Sequence, residues 1–244
     1  MNDKDRAILY GMAIGDGSIS FRERLKDGKY PYVESSLSIA HGPKQKEYLE
    51  YKRDLIHSIM GGVKLSIRKN THNIKDKVYN TYAFSKTNKY FRQMHRVLYS
   101  NNKKKYITKQ VLDYLDERSL ALWYMDDGCM FSNKNKQGEE TSIGFSISTQ
   151  CTLEEANLIK NWLLDRFNIT VKVALCKGKY DIRASTKSSL LLASLVEKYL
   201  VPCMMYKVGP AFRFVFRKSA KHPNFNPLGE DIVRPIEKEK SIEV

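Results

Sequence analysis

Leu120-Ala121-Leu122-Trp123-Tyr124-Met125-Asp126-Asp127-Gly128 reads as a buried helix that stops on two carboxylates and a glycine. A carboxylate in the last turn of a helix lies among unpaired carbonyl oxygens, at the negative end of the macrodipole, and needs a positive partner. Leu9-Tyr10-Gly11-Met12-Ala13-Ile14-Gly15-Asp16-Gly17 poses the same problem earlier in the chain. The two stretches anchor two copies of one series of elements.

In the first copy a helix begins at Asn2 or Asp3 and stops at Gly17. Ser18, Ser20, Arg22, Arg24 and Lys26 then alternate with Ile19, Phe21, Glu23 and Leu25, which is a strand with a basic face and an inward apolar one. Lys26-Asp27-Gly28-Lys29 is a turn signal, and the return strand holds Leu37 and Ile39 inward, Ser36 and Ser38 outward. A helix from Pro43 to Met60, strands at Val63–Arg68 and Tyr79–Phe84, and a helix from about Asn88 to Leu98 complete the unit. From Asp116 the order recurs: a helix to Asp127, a hairpin through Asn133–Gln137, an alternating strand at Ser142–Thr149, a helix opened by the Thr152–Glu155 capping box, strands at Val171–Val173 and Asp181–Ala184, and a helix over Ser188–Leu200. The expectation is an α+β fold of duplicated αββαββα units with pseudo-two-fold symmetry, one half over residues 1–106, the other over 107–219, and a loosely attached tail at 220–244.

Charge narrows the partner. The chain's 244 residues carry 42 Lys+Arg against 27 Asp+Glu, a net +15, which points to a polyanion. No apolar run approaches the roughly 20 residues of a membrane span, so no membrane partner is expected. Cys129, Cys151, Cys176 and Cys203 form no metal-ligand or disulfide pattern, which suggests a reducing compartment.

A two-fold repeat places equivalent residues symmetrically. Gly11, Ala13 and Gly15 would let the first motif helix approach the second closely, bringing Asp16 beside Asp127. Two adjacent carboxylates repel unless protonated or bridged by cations. Hard oxygen ligands suit Mg²⁺, with Mn²⁺ as a substitute, and paired metals suit phosphodiester hydrolysis. The polar faces of the strands would line a basic surface on the carboxylates' side, broad enough for double-stranded DNA.

The two nine-residue stretches resemble the motif of the LAGLIDADG homing endonucleases, in the single-chain form with two motifs. Leu9, Gly11, Asp16 and Gly17 keep the motif's residues, the Met125-Asp126-Asp127-Gly128 ending is familiar in single-chain members, and Pro202-Cys203-Met204-Met205-Tyr206-Lys207 is similar to their late Pro-x-Met-x-Tyr-Lys segment. The resemblance implies two curved antiparallel sheets forming a DNA-binding saddle. It implies metals held by Asp16 and Asp127 with the main-chain carbonyls of Gly15 and Asp126. It also implies a lysine from each half near the scissile phosphates: Lys207 in the second, and in the first Lys105, ahead of Lys104 and Lys103, because Lys105 follows Leu98 at the spacing at which Lys207 follows Leu200. His41 and Gln150 are the polar residues that would order water, although a one-residue slip would pass the role to Gly42 or Thr149.

Candidate DNA contacts are Ser18, Ser20, Arg22, Arg24, Lys26, Ser36, Ser38, Lys64, Arg68, Lys134, Lys136, Lys172, Lys177, Lys179 and Arg183. The function implied is a monomeric, Mg²⁺-dependent, site-specific double-strand endonuclease of intron homing. It would cut across the minor groove of a long target and leave short 3′ overhangs. With no splicing-type Cys or Ser at Met1, an intron-borne reading frame is expected rather than an intein, in an organelle or in bacterial or phage cytoplasm. Two alternatives use the same fold: an RNA maturase that binds its host intron, and a non-catalytic DNA-binding regulator, which would be expected to lose an aspartate.

Overall fold

The computed structural model describes residues 1–26, 30–62, 64–74, 77–99 and 104–221; the side chains of residues 22–33 lie outside that set, and with them the candidate contacts Arg22, Arg24 and Lys26 and the turn at 27–29. The first series runs α1 (Asp3–Ile14), β1 (Ser18–Lys26), β2 (Tyr30–His41), α2 (Lys46–Met60), β3 (Arg68–Ile74), β4 (Lys77–Thr87) and α3 (Tyr90–Leu98). A short α4 (Lys109–Asp113) leads into the second: α5 (Glu117–Asp127), β5 (Gly128–Lys134), β6 (Glu140–Cys151), α6 (Leu153–Phe167), β7 (Lys172–Cys176), β8 (Lys179–Ala184) and α7 (Thr186–Val196), followed by α8 (Gly209–Lys221). Two four-stranded antiparallel sheets result, ordered β1-β2-β4-β3 and β5-β6-β8-β7. The identical strand order makes the duplication structural, and the fold is the expected α+β saddle of two antiparallel sheets. Among the described residues no helix is long and apolar enough to cross a membrane.

Each motif helix is capped where the sequence offers an oxygen. The Asn2 side chain accepts the Asp5 N–H at 2.8 Å. Asp116 and Ser119 form a reciprocal box at the start of α5, with Ser119 N–H donating to Asp116 Oδ1 at 2.8 Å and Asp116 N–H to Ser119 Oγ at 2.6 Å. Ala7 to Ile14 and Ser119 to Met125 are buried on every side, because each helix packs against both its own sheet and the other motif helix. Their approach is close: a Cβ on Gly11 would stand 2.7 Å from the Cα and carbonyl oxygen of Ser119, and one on Gly15 would stand 2.2 Å from Asp126 Oδ2. The first half also reaches across directly, Tyr48 of α2 donating its hydroxyl to the Leu122 carbonyl at 3.1 Å.

Several details differ from the sequence expectation. The third strand's ladder starts at Arg68 rather than Val63. Leu65 and Ile67 pack against the core from a lead-in segment, whereas Arg68 to His72 are exposed and carry no apolar alternation to read. Phe21, on the apolar face of β1, is 46 % exposed, edge-on to His95 of α3 at 4.7 Å. α8 is an additional helix burying Pro210, Ala211 and Phe214. The closing helix ends at Val196, with a 3₁₀ turn over Glu197–Tyr199.

The contact at Gly11 leads to a stability prediction. Gly11→Val gains little helix propensity and forces atoms into Ser119 backbone, which cannot swing aside, so it should cost about 1–3 kcal/mol. Thermal denaturation followed by circular dichroism should show a midpoint several degrees lower; an unchanged midpoint would mean that α1 and α5 do not pack this closely.

Candidate active site at the paired helix ends

Asp16 follows α1 and Asp127 is the last residue of α5. Between them lies a side chain that the sequence reading credited only with its main-chain carbonyl. The carboxylate of Asp126 is fully buried and crosses into the first half, filling the space that Gly15 leaves. Its Oδ2 accepts the Asp16 N–H at 3.0 Å, and its Oδ1 accepts from Lys52 Nζ at 2.5 Å. Lys52, on the inner face of α2, is likewise fully buried. Its ammonium also donates to His41 Nε2 at 3.1 Å, so the ring proton must sit on Nδ1, which donates to Gln45 Oε1 at 3.2 Å. His41 Nδ1 stands 3.5 Å from Asp16 Oδ2. Burial and the Lys52 charge push the His41 pKa down to about 4, which keeps the ring neutral in this chain of bonds.

The two predicted lysines come to equivalent places. Lys105 Nζ donates to the Gly15 carbonyl at 2.6 Å. Lys207 Nζ donates to the Gly128 carbonyl at 2.6 Å and to that of Asp126 at 3.3 Å. Each ammonium thus sits on the carbonyl of the residue before a motif aspartate, where the resemblance implied a metal ligand. Burial lowers the pKa of both lysines. Lys104 is exposed and points elsewhere, 6.0 Å from the Tyr106 ring centre; Lys103 lies outside the described residues.

Asp127 accepts the Trp123 indole N–H at 3.1 Å on Oδ2. Burial, then the charges of Asp126 and Asp16, push its carboxyl up to about 7, and burial followed by the Asp126 charge raises Asp16. These oxygens are the hard donors that a divalent cation takes, and a cation would relieve the repulsion that burial concentrates there, so Asp16 and Asp127 fit such an ion. Asp16, His41 and Asp126 also offer ligand atoms within 4.8 Å of one another. The Lys52 ammonium, bonded to both Asp126 and His41, already supplies positive charge in that cluster.

Gln150 stands apart. Cys151 pairs with Tyr180 as His41 pairs with Tyr82, but the second sheet sets residues 148–150 opposite Asp181 where the first sets Ala40 alone opposite Ala83. In this bulge Gln150 is exposed at φ 48°, its N–H directed to Asp181 Oδ1 at 3.5 Å, and it makes no hydrogen bond to either motif aspartate among the described residues. Thr149, the alternative, donates to the Tyr180 carbonyl at 2.7 Å.

The outer sheet faces carry most of the candidate contacts. Ser18, Ser20, Ser36, Ser38 and Arg68 lie on the face opposite Ile19, Leu37, Ile39 and Phe84, with Ser20–Ser36 hydroxyls 3.3 Å apart and Ser38 bonded to Ser85 at 3.0 Å. Asn70 and Thr81 belong to that face and were missed: Asn70 resembles loop composition, and Thr81, inside an expected strand, has no charge to mark it as a contact. On the second sheet Lys172, Arg183 and Ser146 are register neighbours. Lys134 and Lys136 sit at the hairpin tip, while Lys177, at φ 50°, and Lys179 flank the β7–β8 turn. Lys64 departs from the pattern: it precedes the ladder and pairs with Asp54 of α2 at 3.3 Å.

Comparison with known proteins agrees with this geometry. The chain is 29 % identical over 220 residues to a protein named RecA from Mycolicibacterium flavescens, covering 87 % of this chain and 48 % of that one; it thus spans about half the length of the first curated relatives it matches. It is 30 % identical over 202 residues to a probable intron-encoded endonuclease 1 of Wickerhamomyces canadensis, covering 82 % of this chain and 81 % of that protein. Among solved structures, the homing endonuclease I-WcaI bound to its DNA recognition sequence superimposes with a TM-score of 0.68 at 24 % identity, over 85 % of this chain and 86 % of that one. The profile of the LAGLIDADG DNA endonuclease family matches residues 6–192. With two motif helices ending in Asp16 and Asp127, and two sheets of one topology beside them, the chain belongs to the LAGLIDADG DNA endonuclease family.

Proposed function

We propose that this chain is a site-specific double-strand DNA endonuclease of intron homing that hydrolyses both strands across the minor groove and leaves short 3′ overhangs. The observation that carries the reading is the seating of Lys105 on the Gly15 carbonyl and of Lys207 on the Asp126 and Gly128 carbonyls, next to Asp16 and Asp127 at matching helix ends between two sheets of identical strand order. Relatives named as intron-encoded endonucleases support the homing role. One half, residues 1–106, would read one half-site and the other, 107–219, the second, so a single copy suffices.

Asp16 and Asp127 would hold Mg²⁺, which when bound lowers the pKa of an attacking water and stabilises the departing 3′-oxygen. Lys105 and Lys207 place fixed positive charge beside each aspartate, where charge develops on the phosphate. Neutral His41, held by Lys52 and Gln45, offers an oriented ring beside Asp16. Outward serines, Arg68, Lys172 and Arg183 would contact bases and phosphates.

Cleavage of a randomised duplex library in Mg²⁺, with the cut ends mapped, tests the reading. Wild-type protein should release fragments with 3′ overhangs, and Asp16→Asn or Asp127→Asn should abolish cutting while DNA binding persists; full cleavage by either variant would sink the assignment. Binding of intron RNA without any DNA cleavage would favour a maturase instead. Sedimentation of the active protein should show a monomer; a dimer required for cutting would refute the one-copy account.

A third expectation concerns pH. The Asp127 carboxyl is held near 7, above its ordinary range, so without metal its contribution to stability is present at acid pH and is lost as pH rises through about 7. A bound cation offsets that loss. The gain in melting midpoint on adding Mg²⁺ should therefore be larger at pH 8 than at pH 5, and the pH difference should shrink in Asp127→Asn. Equal gains at both pH values in the wild type would contradict it.

A further inference from the structure

Matched element by element, the two halves differ in the core beside one motif aspartate. Gly15 and Asp126 both precede a motif aspartate. The buried positions of α2, Tyr48, Leu49, Lys52 and Ile56, match Glu155, Ala156, Ile159 and Leu163 of α6. The protein therefore carries a buried charge pair, Lys52 with Asp126, where the other half carries Ile159 and Gly15. Both versions support the same strand order. A buried ion pair loses much of its Coulomb gain to desolvation and is often replaceable by apolar groups without loss of stability. The fold thus has no evident need for this pair, yet it lies beside one site only.

From Lys52, two short chains of contacts lead to Asp16. In one, Lys52 holds Asp126 Oδ1 at 2.5 Å, and Asp126 Oδ2 receives the Asp16 N–H at 3.0 Å, pinning the backbone from which the aspartate projects. In the other, Lys52 donates to His41 Nε2 at 3.1 Å, which fixes the tautomer and turns Nδ1 toward both Gln45 and Asp16 Oδ2. Asp127 has a different support, the Trp123 indole on its own helix at 3.1 Å.

We infer that Lys52 is a positioning residue for the Asp16 site, acting through Asp126 and His41, so that the two strands of a bound duplex meet unequally supported sites. This rests on the endonuclease reading above. Nothing in the sequence hints at the role: Lys52 looks like one more charged residue in a helix of mixed charge.

The test exchanges the pair for the residues used by the opposite half, Lys52→Ile with Asp126→Gly, beside the charge-keeping Lys52→Arg. Folding is followed by thermal denaturation, DNA binding is measured in Ca²⁺, and cleavage is read strand by strand on a supercoiled plasmid carrying a sequence that the wild type cuts. The double variant should melt cooperatively and bind the plasmid sequence, but cut one strand about 10- to 100-fold more slowly relative to the other, a loss of the size that small misplacements cause, so that nicked circles accumulate. Lys52→Arg should restore part of the wild-type strand ratio. The inference is overturned if the double variant keeps the wild-type ratio, slows both strands equally, or no longer folds. Failure of the wild type to cut any sequence would instead remove the endonuclease reading, and this inference with it.

Discussion

A carboxylate buried between two helices, with one ammonium beside it, sets the geometry of this protein's centre. Asp126 fits only because Gly15 offers no side chain, and its charge is matched only because α2 presents Lys52 at the same depth. A buried carboxylate left without a partner would cost several kcal/mol, so the packing of α1, α2 and α5 is coupled through this one group. The Tyr48 hydroxyl on the Leu122 carbonyl adds a second tie from α2 to α5.

That junction decides where the exposed chemistry sits. Once α1 and α5 lie side by side, Asp16 and Asp127 emerge at one end, and each half returns a lysine to the carbonyl just before its aspartate. Asp16, Asp126 and Asp127 are set against Lys52, Lys105 and Lys207. Within this balanced cluster burial raises the pKa of Asp16 and Asp127 and lowers those of Lys105 and Lys207, so these four groups are held against their ordinary charged states. Such a cluster is poised to rearrange when a cation or a phosphate arrives, which suits a catalytic centre better than a structural one.

Much of this was legible in the residues. The two Asp-Gly endings, the alternation in β1, β2 and β6, and the Thr152–Glu155 box are local patterns with one physical meaning each. Lys105 could be picked out from its neighbours because a repeat carries a spacing from one half to the other. What escaped notice depends on contacts between distant segments. Lys52 lies in the stripe of α2 that periodicity marks as the inner face, but nothing local says that a partner waits across the pseudo-dyad. Asp126 was read as a backbone ligand because its side chain has no symmetry mate. Gln150 was misplaced because two residues inserted in β6, invisible to periodicity, move it out of the ladder.

Where the metal binds is decisive for this centre. Crystals grown with a cleavable duplex and soaked in Mn²⁺ would locate the ions by anomalous scattering. Peaks on the carboxylates of Asp16 and Asp127, with Lys52 still bonded to Asp126, are the predicted result. A peak between Asp126 and His41, with Lys52 displaced, would contradict it.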